Sequence, residues 1–179
     1  MMNENQLPMT LRKLRLDDGA AFEDAYREFK SEDDFEFLSH YQEGMKFQHL
    51  LERLDELEKG INIPQGYVPS TFLFGFKEEK IVGRVMIRHE LNDFLRNIGG
   101  HIGYGVVPSE RRKGYATQIL FQSLPFARSI GLEQVLVTCD ETNIASRKVI
   151  ERAGGVFERT FSQGDGLPDK LLYWIRTES

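Results

Sequence analysis

Cysteine is nearly absent from this chain: Cys139 is the only one in 179 residues. A single thiol forms no internal disulfide and no cysteine-based zinc cluster, and it suits a reducing compartment. Long apolar runs are missing too, and no stretch approaches the roughly 18 residues that a membrane span needs. Residues 1–6 lack the basic-then-apolar layout of a signal peptide. Internal repeats and low-complexity tracts are also lacking. So is an excess of positive charge: the formal net charge is −5, which argues against general nucleic-acid or anionic-membrane binding. What is present is enough to fill a core. Hydrophobic residues make up 40%, including 13 Phe and 6 Tyr, too many for global disorder. At roughly 100–200 residues per domain, the expectation is one cytoplasmic domain over 1–179 with no membrane or nucleic-acid partner.

Apolar spacing gives a coarse order of elements. A first strand is predicted over 9–15, with Asp17 and Asp18 capping a helix over 19–29. Residues 31–60 differ in charge. Nine acids (Glu32, Asp33, Asp34, Glu36, Glu43, Glu52, Asp55, Glu56, Glu58) face three bases (Lys46, Arg53, Lys59), enough to account for the acidity of the whole chain. Leu38, Tyr41, Met45, Leu51, Leu54 and Leu57 recur there at helical intervals, with a break near Gly44. Pro64, Gly66 and Pro69 make 61–69 a loop. Phe72, Phe74 and Phe76 then share one face of a strand, which a polar turn over 77–80 joins to a returning strand over 81–87. A helical turn over 94–97 and a third strand over 101–107, stopped by Pro108, follow.

The second half alternates. A helix over 116–129 puts Ile119, Leu120, Leu124 and Ala127 on one face, Pro125 should bend or divide it, and Gly131 caps it. The run 134–139 lacks polar alternation and reads as a buried central strand. A helix over 144–153, closed by Gly154 and Gly155, and strands over 156–161 and 171–175 complete a mixed α/β sheet.

Chemistry concentrates after the third strand, in Val106-Val107-Pro108-Ser109-Glu110-Arg111-Arg112-Lys113-Gly114-Tyr115-Ala116-Thr117. A strand ends, three cations follow, and Gly-x-Ala opens a helix. The first turn of a helix leaves amides unpaired, and its positive end favours a phosphate or pyrophosphate. Arg111, Arg112 and Lys113 add charge from the side. No Gly-Lys-Ser/Thr follows, so the spacing argues against a nucleotide P-loop. Gly99, Gly100, Gly103 and Gly105 do not form a dinucleotide fingerprint. An ordinary charged turn before a helix stays open on the cation run alone.

The segment Arg111-Arg112-Lys113-Gly114-Tyr115-Ala116 resembles motif A of the GNAT (GCN5-related) N-acetyltransferases, Gln/Arg-x-x-Gly-x-Gly/Ala. Downstream, Asn143-Ile144-Ala145-Ser146 with its helix and glycine turn resembles the family's motif B, Asn-x-x-Ser/Ala. The two motifs cover 101–157, and the flanking strand order extends the resemblance to most of the chain. It implies a mostly antiparallel sheet splayed in the middle, with helices on both faces. It also implies acetyl-coenzyme A lying between the strands that end at Val107 and Cys139, and no metal. The amides of Arg112, Lys113, Gly114, Tyr115, Ala116 and Thr117 would hold the pyrophosphate. Val106 and Val107 would pair with the pantetheine arm, as an exposed strand edge accepts an extended amide, and Asn143 and Ser146 would contact it from the other wall.

The implied reaction is transfer to a primary amine in a ternary complex. A longer acyl donor, a hydroxyl acceptor, or a non-catalytic acyl-CoA-binding or regulatory module are the alternatives. Transfer needs an amine that has lost its proton, donors for the oxyanion (most simply the Val106 or Val107 amide), and a proton for the departing thiolate. Many members of the family carry Tyr seven residues after the motif B Asn, where this chain has Ile150. Tyr104 is the substitute expected as acid, with Ser146 or a water behind it. Glu90, His89 and His101 are candidate bases, each with a structural alternative. Cys139 reads as packing rather than a nucleophile. The acidic 31–68 region falls where the family places its variable acceptor-side helices. It would steer a cationic amine or basic peptide end, or simply form a solvated face. Phe35, Phe37, Tyr41 and Phe47 would line the acceptor gap or pack in the core. Homodimerisation stays open.

Overall fold

The hydrophobic pattern resolves into one sheet with an apolar layer on each side. The computed structural model describes residues 8–31, 37–38 and 41–178. Its strands are β1 (Thr10–Arg12), β2 (Ser70–Lys77), β3 (Lys80–Arg88), β4 (Ile102–Val106), β5 (Gln134–Asp140), β6 (Val156–Phe161) and β7 (Lys170–Arg176). Four helices accompany them: α1 (Gly19–Lys30), α2 (Phe47–Lys59), α3 (Tyr115–Ser129) and α4 (Ile144–Arg152). The seven strands lie in the order β1-β2-β3-β4-β5-β7-β6 and are antiparallel except for the β4–β5 pair. This is the mixed, mostly antiparallel α/β class that the sequence pattern indicates.

Side-chain alternation divides the core. Val85, Ile87, Ile102, Val135 and Val137 point to one face, where Ile119, Leu120 and Ala127 of α3 and Ile150 of α4 cover them. Phe72, Phe74 and Phe76 point to the other and meet Phe22 and Phe29 of α1 and Leu50 and Leu57 of α2. Rings dominate this second layer. Phe29 stacks on Phe37 at 4.5 Å, and Tyr41 meets Phe22 edge-on at 5.0 Å. Phe37 and Tyr41 are therefore core residues; Phe35, Glu32, Asp33, Asp34 and Glu36 lie outside the described residues.

Three local expectations change. Asp18 does not cap α1 through its side chain. Its carboxylate instead accepts from the Arg15 amide at 2.6 Å and pairs with Arg12 through two bonds, which close the preceding 3-10 turn. Pro125 leaves α3 undivided. It lies on the exposed side, so the carbonyl that lost its amide, that of Phe121, belongs to a residue open to water. Among the described residues of 31–60 the regular helix is α2 alone; Gly44, with φ +88°, forms a turn ahead of it.

Gly83 lets α3 approach. A Cβ there would stand 2.6 Å from the Gly105 carbonyl and 2.7 Å from Ile119 Cδ1, so any larger residue would press on the β4 backbone and displace the Ile119 side chain. The close seating fixes where the start of α3 lies relative to the end of β4.

Candidate functional site

β4 and β5 pair in register only at Ile102 and Val137. Beyond that point the two parallel strands part, and the gap opens toward the C-terminal end of β4. Backbone alternation decides which groups face it. Val107 donates its amide to the Val82 carbonyl at 2.9 Å, so Gly103, Gly105 and Val107 bond toward β3. The N–H and C=O groups of Tyr104 and Val106 therefore turn toward the gap. Val107 is corrected on this point: its amide is engaged and its side chain is fully buried in the ring layer.

The Tyr104 side chain spans from β4 to the first turn of α4. Its hydroxyl shares a hydrogen bond of 2.8 Å with Ser146 Oγ, and it approaches the Ser146 carbonyl at 3.4 Å. Burial pushes the phenol up to about 12, against a smaller lowering from Ser146. Tyr104 thus holds its proton at neutral pH. Asn143 caps α4, its Oδ1 accepting from the Ser146 amide at 3.0 Å. The cap fixes the turn that presents Ser146 to Tyr104. Ile150, where the family commonly has tyrosine, is fully buried in the core.

The loop at the mouth of the gap is built to expose amides. Pro108–Glu110 form a 3-10 turn, Arg112 adopts φ +61°, and Gly114 at φ +82° precedes α3. The first turn of α3 carries no acid, and its ladder begins with Gln118 N donating to the Gly114 carbonyl. Tyr115, Ala116 and Thr117 thus present amides without helical partners. Tyr115 buries its side chain in the core and contributes only that amide. Gln118 Nε2, one turn into the helix, is buried without a hydrogen-bond partner among the described residues. An anion-accepting helix start, a left-handed glycine and an orphaned donor fit a phosphate-bearing ligand.

Not all of the cationic run is available to such a ligand. Lys113 pairs with Glu110 at 2.9 Å, and Lys80 reaches the same carboxylate at 2.7 Å. The two ammonium groups hold Glu110 below the usual carboxylate range, Lys80 contributing most. Glu110 is 8% exposed and ties the loop to the β2–β3 turn. Reading the run as cations alone misses it, although the Glu110–Lys113 spacing of three was visible. Arg111 donates through Nε to the Val106 carbonyl at 3.3 Å. Arg112 is exposed on the loop.

The candidate bases are not brought to Tyr104. His101 is buried beneath Trp174, and its Nδ1 accepts from the Leu136 amide at 2.9 Å. Burial first, then Arg88 and Arg96, lower it to about 4. It is a neutral packing residue that joins β4 to β5. His89 bonds Thr71 Oγ1 through Nε2 at 2.9 Å. Glu90 is exposed two residues past the end of β3, whereas Tyr104 pairs with Val85. Five residues of strand separate the two positions by about 16 Å. Cys139 is 5% exposed, and burial raises its thiol to about 11, so it stays protonated in the core.

On the opposite face, β3 sends two arginines over β4. Arg84 is 7% exposed and donates to the carbonyls of Phe37 at 2.8 Å and Gly103 at 3.2 Å. Arg88 donates through Nη1 to the carbonyls of Gly99 and Gly100, both at 3.1 Å. Among the described residues no group of three or more His, Cys, Asp or Glu side chains is placed to hold a metal ion. No helix among them is long and apolar enough to cross a membrane.

Solved structures share this architecture. RimJ of Mycobacterium smegmatis, in complex with CoA-disulfide, has a TM-score of 0.66 at 22% identity, over 94% of this chain and 81% of that one. The yncA protein of Salmonella typhimurium, with acetyl-CoA as its cofactor, gives 0.61 at 14% identity, over 96% and 95%. RimL, the ribosomal L7/L12 alpha-N-protein acetyltransferase in complex with coenzyme A, gives 0.63 at 16% identity, over 95% and 97%. No curated protein matches the sequence. The family model for the acetyltransferase (GNAT) domain matches residues 9–156. The chain belongs to the GNAT acetyltransferase family.

Proposed function

We propose that this protein moves the acetyl group of acetyl-coenzyme A to a primary amine by direct attack in a ternary complex. The observation that carries the reading is the parted β4–β5 pair. It has unpaired amides at its mouth and the Tyr104–Ser146 hydrogen bond of 2.8 Å on its wall. Solved relatives that hold coenzyme A or acetyl-CoA support the choice of donor.

Acetyl-CoA supplies the activated acyl group, and this chain's residues do the rest. The amides of Tyr115, Ala116 and Thr117, with Gly114 and Arg112, bind the pyrophosphate. Lys113 acts mainly through Glu110, holding the loop. The main-chain groups of Tyr104 and Val106 pair with the pantetheine amides. The Val106 amide also donates to negative charge developing on the thioester oxygen. Tyr104 holds a proton for the departing thiolate and Ser146 orients its hydroxyl. Asn143 acts by capping α4. None of the candidate bases is assigned the proton of the acceptor amine, which water in the gap would remove. The fully buried Ile150 favours a second reading, a non-catalytic acyl-CoA-binding module.

The test is coenzyme A release with polyamines, aminoglycosides, amino acids and peptides as acceptors. Amine-dependent release supports transfer. Binding of acetyl-CoA with no release across the panel supports the binding module.

A further inference from the structure

We infer that the acceptor amine carries a carboxylate a few bonds from its nitrogen, as an amino acid does, and that Arg88 binds it. The inference rests on the acetyl-transfer reading and names the substrate class for that site. Arg88, the last residue of β3, lies on the face opposite the Tyr104 side chain, with its guanidinium beside Gly99 and its Nη1 reaching toward Gly103. Gly103 has no side chain to cover that surface. A Cβ built there would meet nothing within 4 Å except Arg88 Nη1, at 3.9 Å. Gly103 is also the neighbour of Tyr104, whose main chain turns into the gap. One Cα step of about 3.8 Å therefore separates the surface beside Arg88 from the start of the gap.

The guanidinium has a donor surplus. Among the described residues only Nη1 is engaged, by the two carbonyls of Gly99 and Gly100. No carboxylate among the described residues pairs with it, and the one influence on its acidity is burial, which lowers it. Arginines withdrawn from water ordinarily face an anion, because a fixed fork of N–H donors matches a carboxylate through two bonds. The surroundings agree in sign. His101, nearby, is held neutral by burial and by Arg88 and Arg96. Arg88 is half-buried rather than sealed in the core. The carbonyl bonds to Gly99 and Gly100 also give Arg88 a structural duty, and the test has to separate the two.

The test uses the full chain loaded with coenzyme A and measures binding of each α-amino acid beside its own carboxamide by calorimetry. The wild type is expected to bind at least one amino acid ten or more times more tightly than its carboxamide. Arg88→Gln should erase that ratio, Arg88→Lys should restore part of it, and coenzyme affinity should stay unchanged in both. A merely structural arginine would weaken amino acid and carboxamide alike and leave the ratio where it was. No preference for any carboxylate, whether both partners bind equally or neither binds, would overturn the inference. So would a preference that survives Arg88→Gln. Carboxylate-selective binding without acetyl transfer would instead refute the transfer reading and leave Arg88 as a carboxylate site of a binding module.

Discussion

The two faces of the sheet handle charge in opposite ways. On the α3–α4 face, the site is built from main-chain groups: unpaired amides at the start of α3, strand edges at Tyr104 and Val106, and a capped turn at Asn143. The hydroxyls that bond on its wall, those of Tyr104 and Ser146, are neutral. On the α1–α2 face, rings fill the core, and the polar elements are guanidinium groups laid across β4. A site made of backbone tolerates many side chains but not a change of chain path. One made of side chains is set by single residues. The first suits a ligand that every family member shares, and the second suits one that differs among them.

The comparison breaks most sharply at Gly114. Its φ of +82° and its place ahead of α3 make it the hinge of the amide cradle. Gly114→Glu adds strain and a negative charge where a pyrophosphate is proposed, and coenzyme A affinity should fall about a hundredfold or more. Gly114→Asn, which tolerates the left-handed region and adds no charge, should lose much less. Equal losses in calorimetry would point to backbone strain rather than phosphate binding.

Tyr104→Phe tests the same face without touching the cradle. If the phenol supplies the thiolate's proton, kcat should drop about a hundredfold while coenzyme affinity moves little. A phenol raised to about 12 also sets a pH expectation: no alkaline limb from Tyr104 should appear in the rate profile below pH 11. A kcat within twofold of wild type would remove Tyr104 from the chemistry and leave it as a brace between β4 and α4.

His101 separates structure from catalysis. Its unfolded value near 6.5 falls to about 4 in the native state, so the unfolded chain binds the proton first as pH drops. The stability it contributes is present above pH 6.5 and lost on descending toward 4, amounting to about 3 kcal/mol. Urea midpoints of the wild type should fall across that window more steeply than those of His101→Gln. The carboxylates of Asp18 and Glu110, both held low by their cations, titrate in both proteins and cancel in the difference. If His101 were the base, its replacement would remove activity as well as this stability slope, whereas a packing residue leaves kcat near the wild-type value.

Much of the geometry of the candidate coenzyme face was legible in the sequence, because its signals are local. Gly114, the start of α3 and the Asn143–Ser146 cap are contiguous in the chain, and strand, turn and helix starts follow from short-range sterics and hydrogen bonding. The alternation of Phe72, Phe74 and Phe76 likewise placed the ring layer. What failed was non-local. Whether Val106 or Val107 faces the gap depends on which residue bonds Val82 across the ladder, a matter of register that a composition of valines cannot reveal. His101 looked reactive because its Leu136 partner lies 35 residues away. Nothing in the sequence singles out Arg84 or Arg88, and only the pairing of β3 with β4 brings them to Gly103.

The smallest expected effect concerns the acidic segment. Steering of a cationic acceptor would need negative charge left over on α2, yet its acids are largely matched on the same surface. Asp55 pairs with Lys59 at 2.6 Å, Glu56 with Arg53 at 2.8 Å, and Glu58 with Lys13 at 2.6 Å. Glu52 accepts from Gln48 at 3.2 Å. Such exposed pairs are worth only a few tenths of a kcal/mol each, and salt within a Debye length of about 8 Å screens their field. Replacing Glu52 by Gln, Asp55 by Asn and Glu56 by Gln together should therefore move the KM of a polyamine by less than about twofold at physiological salt. A rise of several-fold, larger at low salt, would make this face a collector of cations and reverse the contrast drawn between it and Arg88. An unchanged KM leaves the guanidinium groups of β3, rather than the carboxylates of α2, as the charge that an acceptor meets.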